Sequence, residues 1–214
     1  EIASWKIDND RQGNKTLRPG DIKYKDLNGD GIINDMDMRP IGYATGDTPI
    51  FNYGINIGLS WKGFDLSFDL TGGSGMSFMP QYESMYPFHD GGNNPQYLLS
   101  DTWHLKDIWN ANSELIPGKY PIPLIGNSSH SNYWNSDFWL INVHYIKLRN
   151  FEFGYTLPKN WLKMFRASSL RIYVAGSNVF TWTNKPGCDP EGTTNSGLQY
   201  PTTRVINMGF KLKF

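Results

Sequence analysis

Phe51-Asn52-Tyr53-Gly54-Ile55-Asn56-Ile57-Gly58-Leu59-Ser60-Trp61, then Lys62-Gly63, then Phe64-Asp65-Leu66-Ser67-Phe68-Asp69-Leu70-Thr71: through this stretch apolar and polar residues alternate. A strand turns successive side chains to opposite faces, so a period of two makes one face apolar and leaves the other polar or glycine. Lys62-Gly63 has the length of a tight hairpin turn. The stretch therefore reads as an antiparallel hairpin whose arms, about ten residues each, exceed the five or six usual in water-soluble sheets.

Three more runs carry the same period. Asn142 to Leu157 ends with Phe151, Phe153, Tyr155 and Leu157 on one face, whereas Ile146 and Leu148 stand in the opposite phase. That switch predicts a β-bulge near Arg149-Asn150. Ser169 to Trp182 sets Leu170, Ile172 and Val174 against Arg171, Tyr173, Ala175 and Ser177. Thr203 to Phe214 sets Ile206, Met208, Phe210, Leu212 and Phe214 against Asn207, Gly209, Lys211 and Lys213.

Helical periodicity is almost lacking, so little is available to cover the apolar faces. Transmembrane strands need about 9–11 residues of this period with aromatic rims. Phe51, Trp61, Phe64, Phe78, Tyr155, Phe180 and Trp182 supply such rims. The expected fold class is all-β, an antiparallel transmembrane β-barrel segment with long extracellular loops. The competing reading is a soluble antiparallel sandwich.

Connection lengths alternate as barrels with short periplasmic turns and long outer loops require. Lys62-Gly63 and Pro158 to Ala167 are short or moderate; Gly72 to Ile141 and Thr183 to Thr202 are long. With the last strand running inward, counting back places residues 1–49 outside with the other long loops. The expected organisation is a loop at 1–49, a transmembrane hairpin at 50–78, an aromatic loop at 79–141, a second hairpin at 142–182, a loop at 183–202 and a last strand at 203–214. Five strands cannot close a barrel, and an open sheet edge is not viable in lipid. The chain is therefore expected to be the C-terminal piece of a larger barrel.

Composition limits the function. Twenty Lys+Arg balance twenty Asp+Glu, which argues against a nucleic-acid binder. A single cysteine, Cys188, excludes an intrachain disulfide framework and Cys-rich metal sites. No run of about 18 apolar residues offers a membrane helix. The chain opens at Glu1-Ile2-Ala3, with no initiator Met or signal peptide.

Asp26-Leu27-Asn28-Gly29-Asp30-Gly31-Ile32-Ile33-Asn34-Asp35-Met36-Asp37 fits a twelve-residue calcium loop. Ca2+ takes six to eight oxygens, which Asp26, Asn28, Asp30 and Asp37 side chains and the Ile32 carbonyl can supply. Gly31 makes the sharp turn, and Asp37 replaces the usual Glu. No amphipathic helices flank the loop, so an ion there would brace it structurally. The bland reading is an Asx-turn-rich surface loop.

These segments resemble the SusC/RagA-type TonB-dependent outer-membrane transporters. The resemblance is carried by Pro19-Gly20-Asp21-Ile22-Lys23-Tyr24-Lys25-Asp26 with Asn28-Gly29-Asp30-Gly31, and by Ser136-Asp137-Phe138-Trp139-Leu140. Tyr145-Ile146-Lys147-Leu148-Arg149-Asn150, Gly154-Tyr155-Thr156-Leu157-Pro158, Ser169-Leu170-Arg171-Ile172-Tyr173-Val174, Asn178-Val179-Phe180-Thr181, Asp189-Pro190-Glu191 and Tyr200-Pro201 follow in the family's order. Asp101-Thr102-Trp103-His104-Leu105-Lys106 departs from it, since the family usually has Arg after the Asp and Thr-Pro-Glu-Asn after the Trp.

The resemblance implies a 22-stranded barrel, an upstream plug and a TonB box, in the outer membrane of a Gram-negative bacterium. It also implies a SusD-like surface lipoprotein as lid, oligosaccharides or sometimes peptides as substrates, and outer-membrane lipid around the wall. Phe210, Leu212 and Phe214 would then belong to the terminal signal read by barrel-assembly machinery.

No enzyme is expected. Asp65 and Asp69, four apart on one strand, would stand about 13 Å apart, too far for a glycosidase pair. They, with Glu152, Arg171, Lys211 and Lys213, are expected on the lumenal face in ion pairs. His89, His104, His130 and His144 show no metal-ligand spacing. Gly72-Gly73-Ser74-Gly75 follows a strand without opening a helix, so it is no phosphate loop. In the loop from Met79 to Trp139, Trp103, Trp109 and Trp134 are the candidate substrate contacts; self-packing or packing on the lid is the bland reading. The runner-up function is a calcium-braced carbohydrate-binding β-sandwich module.

Overall fold

The computed structural model describes residues 17–162, 167–187, 189–192, 194–200 and 202–214. Cys188, Pro201 and the first sixteen residues of the expected first loop lie outside them. In chain order the strands are β1 (Phe51–Trp61), β2 (Phe64–Phe78), β3 (His104–Leu105), β4 (Leu115–Ile116), β5 (Ile141–Thr156), β6 (Ser169–Thr183) and β7 (Val205–Lys213). No helix among the described residues is long and apolar enough to cross a membrane, which says nothing against a β-barrel.

The chain divides into two compact units. One contains Tyr43–Ser77, Asn142–Thr193 and Tyr200–Phe214 and is built on an antiparallel sheet of order β1-β2-β5-β6-β7. The sheet is open, with β1 and β7 at its edges. The β1–β2 turn is Lys62-Gly63, both left-handed (φ 47° and 89°), the two-residue turn whose twist matches the flanking strands.

Register keeps like with like. Ile55 faces Leu70, Ile57 faces Phe68 and Leu59 faces Leu66. Across the other hairpin, Phe153 pairs with Val174 and Val174 with Met208, while Tyr155 pairs with Ile172 and Ile172 with Phe210. The resulting apolar face is exposed: every odd residue of β1 from Phe51 to Trp61, and Ile206, Met208, Phe210 and Phe214, stand open. Aromatic contacts run along it, Phe64 with Tyr155 at 4.4 Å and Phe180 with Trp182 at 5.8 Å between ring centroids.

The expected irregularity is present. Between Leu148 and Asn150 the β5–β6 register shifts by one: Leu148 pairs with Phe180, Asn150 with Ser177. Here β6 takes the longer path, and Asn178 adopts a left-handed conformation (φ 52°). Leu148 and Phe151, three apart, line the same apolar hollow with Leu66, Phe68 and Leu70, so the face is retained through the phase change.

The other unit contains residues 1–42, Phe78–Ile141 and Thr194–Gln199. It has short 3-10 and helical turns, the two-residue ladder β3–β4, and a core of Met85, Leu98, Tyr133 and Trp139. Ile22, Tyr86, Tyr97 and Tyr120 pack against that core. Much of the aromatic content of 79–141 is thus spent on the loop's own packing, while Trp109 is 91% exposed.

Candidate functional site

The polar face of the sheet carries two ionic networks. In one, Arg171 on β6 reaches Asp65 on β2, its Nε donating to Asp65 Oδ1 at 3.0 Å and its Nη2 to Oδ2. The same Nη2 donates to Glu152 Oε1 at 2.6 Å. Beside it, Asn150 Nδ2 donates to Asp69 Oδ2 at 3.1 Å. Asp65 and Asp69 are therefore held by structural partners on the face predicted for them.

The second network fixes the connection after β6 onto β5. Lys147, 1% exposed, donates through Nζ to Asp189 Oδ1 at 2.5 Å and to Glu191 Oε2 at 2.8 Å. Arg149 also bonds Glu191, Tyr145 OH lies 3.2 Å from Glu191 Oε1, and Thr202 Oγ1 donates to Asp189. Burial opposes ionisation of both carboxylates, but hydrogen bonds from Lys147, joined by Thr202 at Asp189 and Arg149 at Glu191, outweigh it. Both carboxyls end below the usual range. Two carboxylates around one buried cation spare it the penalty of an isolated ion. The Asp189-Pro190-Glu191 motif thereby acquires a physical role, to anchor its segment on the strand wall.

In the other unit, the Gly20–Lys25 segment is stitched to Ser131–Trp139. Asn132, fully buried, accepts from Ile22 N at 2.8 Å and donates to Asp21 Oδ1 at 2.6 Å. Trp139 Nε1 donates to the Asn132 carbonyl at 2.7 Å, and Tyr24 OH to the Ser131 carbonyl at 2.6 Å. Burial pushes the Tyr24 phenol up to about 12, so it serves as a neutral donor. Between these segments opens a cleft of 620 Å³ whose lining includes Trp103, Phe138, Lys23, Lys25, Lys119 and Asp137. Its size and its mixture of ring faces and polar groups suit a small ligand or one residue of a larger one.

The three candidate tryptophans have different settings. Trp103 lines the cleft and packs on Gly20, where a Cβ would come within 2.7 Å of its ring. Gly20 also needs its left-handed φ of 94°. Trp109 stands open in the turn at Asp107–Asn110, and Trp134 lies 5.3 Å from the Tyr24 ring. Phe210, Leu212 and Phe214 share an apolar groove with Leu162, Leu170 and Ile172 on the exposed sheet face.

The acidic loop closes on itself. Asp26 accepts from Gly29 N at 2.6 Å and Gly31 N at 2.7 Å, each through a different oxygen. Asn28 Oδ1 accepts from Asp30 N, and Asp30 Oδ1 from Ile32 N. Asp37 accepts from Leu27 N at 2.7 Å and Asn34 N at 2.9 Å, joining the end of the loop to its start. Amides of Asn34, Leu27 and Asn28 hold the Asp37 carboxyl below the usual range. Asp37 Oδ1 takes the Asn28 amide as well, at 3.3 Å, and is doubly engaged, while the Asp26 and Asp30 oxygens each keep a lone pair of the kind a hard cation takes.

Sequence spacing gave no reason to group His89 with other ligand-type residues. The structure sets it beside Glu83 and Asp90, the ligand-type atoms of the three lying within 4.8 Å of one another.

No protein-family model matches the chain. Among curated proteins it is 29% identical over 209 residues to TonB-dependent receptor P3 of Formosa agariphila, covering 92% of this chain and 19% of the relative. TonB-dependent receptor P26 of the same organism is 24% identical over 229 residues, covering 100% and 22%. Among solved structures, the RagAB peptide importer in its open-open state aligns with a TM-score of 0.52 at 25% identity, over 78% of this chain and 17% of that one. The closed-closed state gives 0.57 at 22% identity, over 92% and 20%, a likeness of fold. The chain spans about a fifth of the length of the relatives it matches. In sequence motifs, homologues and sheet alike, it is similar to a barrel segment of the SusC/RagA-type TonB-dependent transporters, as the motifs from Pro19 to Phe214 indicate.

Proposed function

We propose that this chain forms lumen wall and extracellular loops, as the C-terminal part, of a TonB-dependent outer-membrane importer, and that it catalyses no reaction. The observation that carries the reading is the two-faced sheet. One face is a continuous exposed apolar surface on strands of nine to sixteen residues; the other holds paired charges and glycines. In water the apolar face would be costly, whereas lipid is its natural solvent.

The cargo is an oligosaccharide or a peptide. The name of the RagAB importer supports peptides, and the cleft beside Trp103 and Phe138 suits sugar rings as well. Partners in this reading are a SusD-like lipoprotein lid over the loops, TonB through the upstream region of the full protein, and barrel-assembly machinery recognising Phe210, Leu212 and Phe214. Ca2+ bound by Asp26, Asn28, Asp30, Asp37 and the Ile32 carbonyl would brace the first loop. Trp103, Trp109 and Trp134 are the proposed substrate contacts.

The test is an immunoblot of fractionated source cells with an antibody against residues 79–139, run boiled and unboiled. A heat-shifting outer-membrane band several times larger than the 24.5 kDa of this chain is expected. A soluble 24.5 kDa band would overturn the importer and favour a carbohydrate-binding sandwich.

A further inference from the structure

Glu83 and His89 lie in two successive 3-10 turns, Tyr82–Ser84 and His89–Gly91, and Asp90 follows His89 directly. Nδ1 of His89 is 3.1 Å from Glu83 Oε1 and 3.6 Å from Asp90 Oδ2. One ring nitrogen has one hydrogen to give, so at most one of these contacts is a hydrogen bond, and 3.6 Å is too long for it. Asp90, next in the chain and open to solvent, stands beside the same nitrogen without that bond.

Zinc binds imidazole nitrogen and carboxylate oxygen at about 2.0–2.2 Å, so neighbouring ligand atoms stand about 3.0–3.5 Å apart in octahedral or tetrahedral sites. The two nitrogen–oxygen separations lie close to that range. Glu83 and His89 side chains are 23% exposed and Asp90 85%, which leaves an open side for water or a further ligand. The rings of Tyr82 and Tyr86 each lie 5.6 Å from the imidazole and hold its orientation.

The backbone is committed to the arrangement. Tyr82, Phe88 and Asp90 all adopt left-handed conformations (φ 50°, 53° and 48°), which are uncommon for residues with a Cβ. Such strain persists only where surrounding structure over-determines it.

We propose that Glu83, His89 and Asp90 form a site for a divalent transition-metal ion of the zinc type, through one nitrogen and two carboxylate oxygens. This mixed donor set is softer than the all-oxygen acidic loop and distinct from it in chemistry. The ion would cross-link the two turns. The inference does not depend on the importer reading.

The test uses the full-length protein in detergent, stripped with a chelator and titrated with Zn2+ against a chromophoric competitor. Wild type, His89→Gln and Asp90→Asn are compared, with Asp26→Asn as a control in the acidic loop. Asp90 is the most exposed of the trio, so its variant decides the matter if His89→Gln disturbs the fold. The expected result is tightly bound zinc reduced by one equivalent in His89→Gln, at least about tenfold weaker binding of that equivalent in Asp90→Asn, and no change in Asp26→Asn. Wild type taking up no zinc, an unchanged titration in Asp90→Asn, or an unchanged one in a folded His89→Gln would overturn the proposal.

Discussion

Arg171 reaches Asp65 by crossing the strand between them, and it crosses at Gly154. A Cβ on Gly154 would collide with Arg171 Nη2. One guanidinium thereby joins β6, β5 and β2 through a fork that fits the Asp65 carboxylate, while also reaching Glu152. In the full-length protein, Gly154→Val is expected to displace this fork and lower the temperature at which the folded band converts to the unfolded one on gels. Arg171→Met should do the same, each costing about 1–3 kcal/mol. Because both remove one interaction, the double variant should be no worse than the poorer single. Additive losses would break the linkage between Gly154 and Arg171.

Lys147→Met leaves Asp189 and Glu191 without their shared cation. Removing one partner of a buried ion network costs about 3 kcal/mol or more, so the 189–192 segment should come away from β5. Limited proteolysis between β6 and β7 is expected to accelerate strongly, with the barrel itself still heat-shifting. Unchanged proteolysis would show that the anchor lies elsewhere.

Acid should act on the same anchor. Asp189 and Glu191 are depressed when docked, so their contribution is fully present above the ordinary carboxylate pKa and is lost as pH falls through the docked values. Docking should be constant from neutral pH down to about 5 and weaken progressively below about 4. Hydrogen exchange of the 189–192 amides against pH measures this, and a loss near pH 6 would contradict it.

For the acidic loop, terbium luminescence should report binding that Ca2+ displaces. Asp26→Asn and Asp37→Asn are each expected to weaken it about tenfold or more, since each removes a charge from a small oxygen-ligand site. Asp35→Asn, outside the ligand set, should be silent. Equal behaviour of all three would reduce the loop to a set of Asx turns.

The tryptophans should separate into two classes. Trp109→Ala is expected to leave folding unchanged, because the ring is exposed; any loss of cargo affinity would then mark direct contact. Trp103→Ala removes a ring packed on Gly20, so it should loosen the cleft and weaken cargo binding together. Isothermal titration with oligosaccharide and peptide libraries, beside thermal melts, distinguishes the two.

The strands were legible because a two-residue period survives in any one segment. The hairpin at Lys62-Gly63 and the irregularity near Arg149-Asn150 were legible for the same reason. That β6 takes the longer path, with Asn178 left-handed, was not, since its alternation reads weakly on either side. The networks were half visible: alternation put Asp65 and Arg171 on the polar face, but not in contact across 106 positions. Lys147 looked like one lysine in a strand, and nothing local announces Asp189 and Glu191 some forty residues on. Glu83, His89 and Asp90 meet across turns in which Tyr82, Phe88 and Asp90 take left-handed φ values, which periodicity does not announce. Gly154 was the missed signal, a small residue among large ones where something must pass.

The register shift between Leu148 and Asn150 makes strand length a matter of arithmetic. Lys147 and Glu152, five apart, serve the same side of the sheet only because the alternation skips once between them. Losing or gaining a single residue there would exchange inside for outside along half of β5, putting an ammonium into lipid or a phenylalanine into the lumen. Descendants of this sequence can therefore lengthen or shorten this strand two residues at a time, but odd steps demand a matching change in the same stretch.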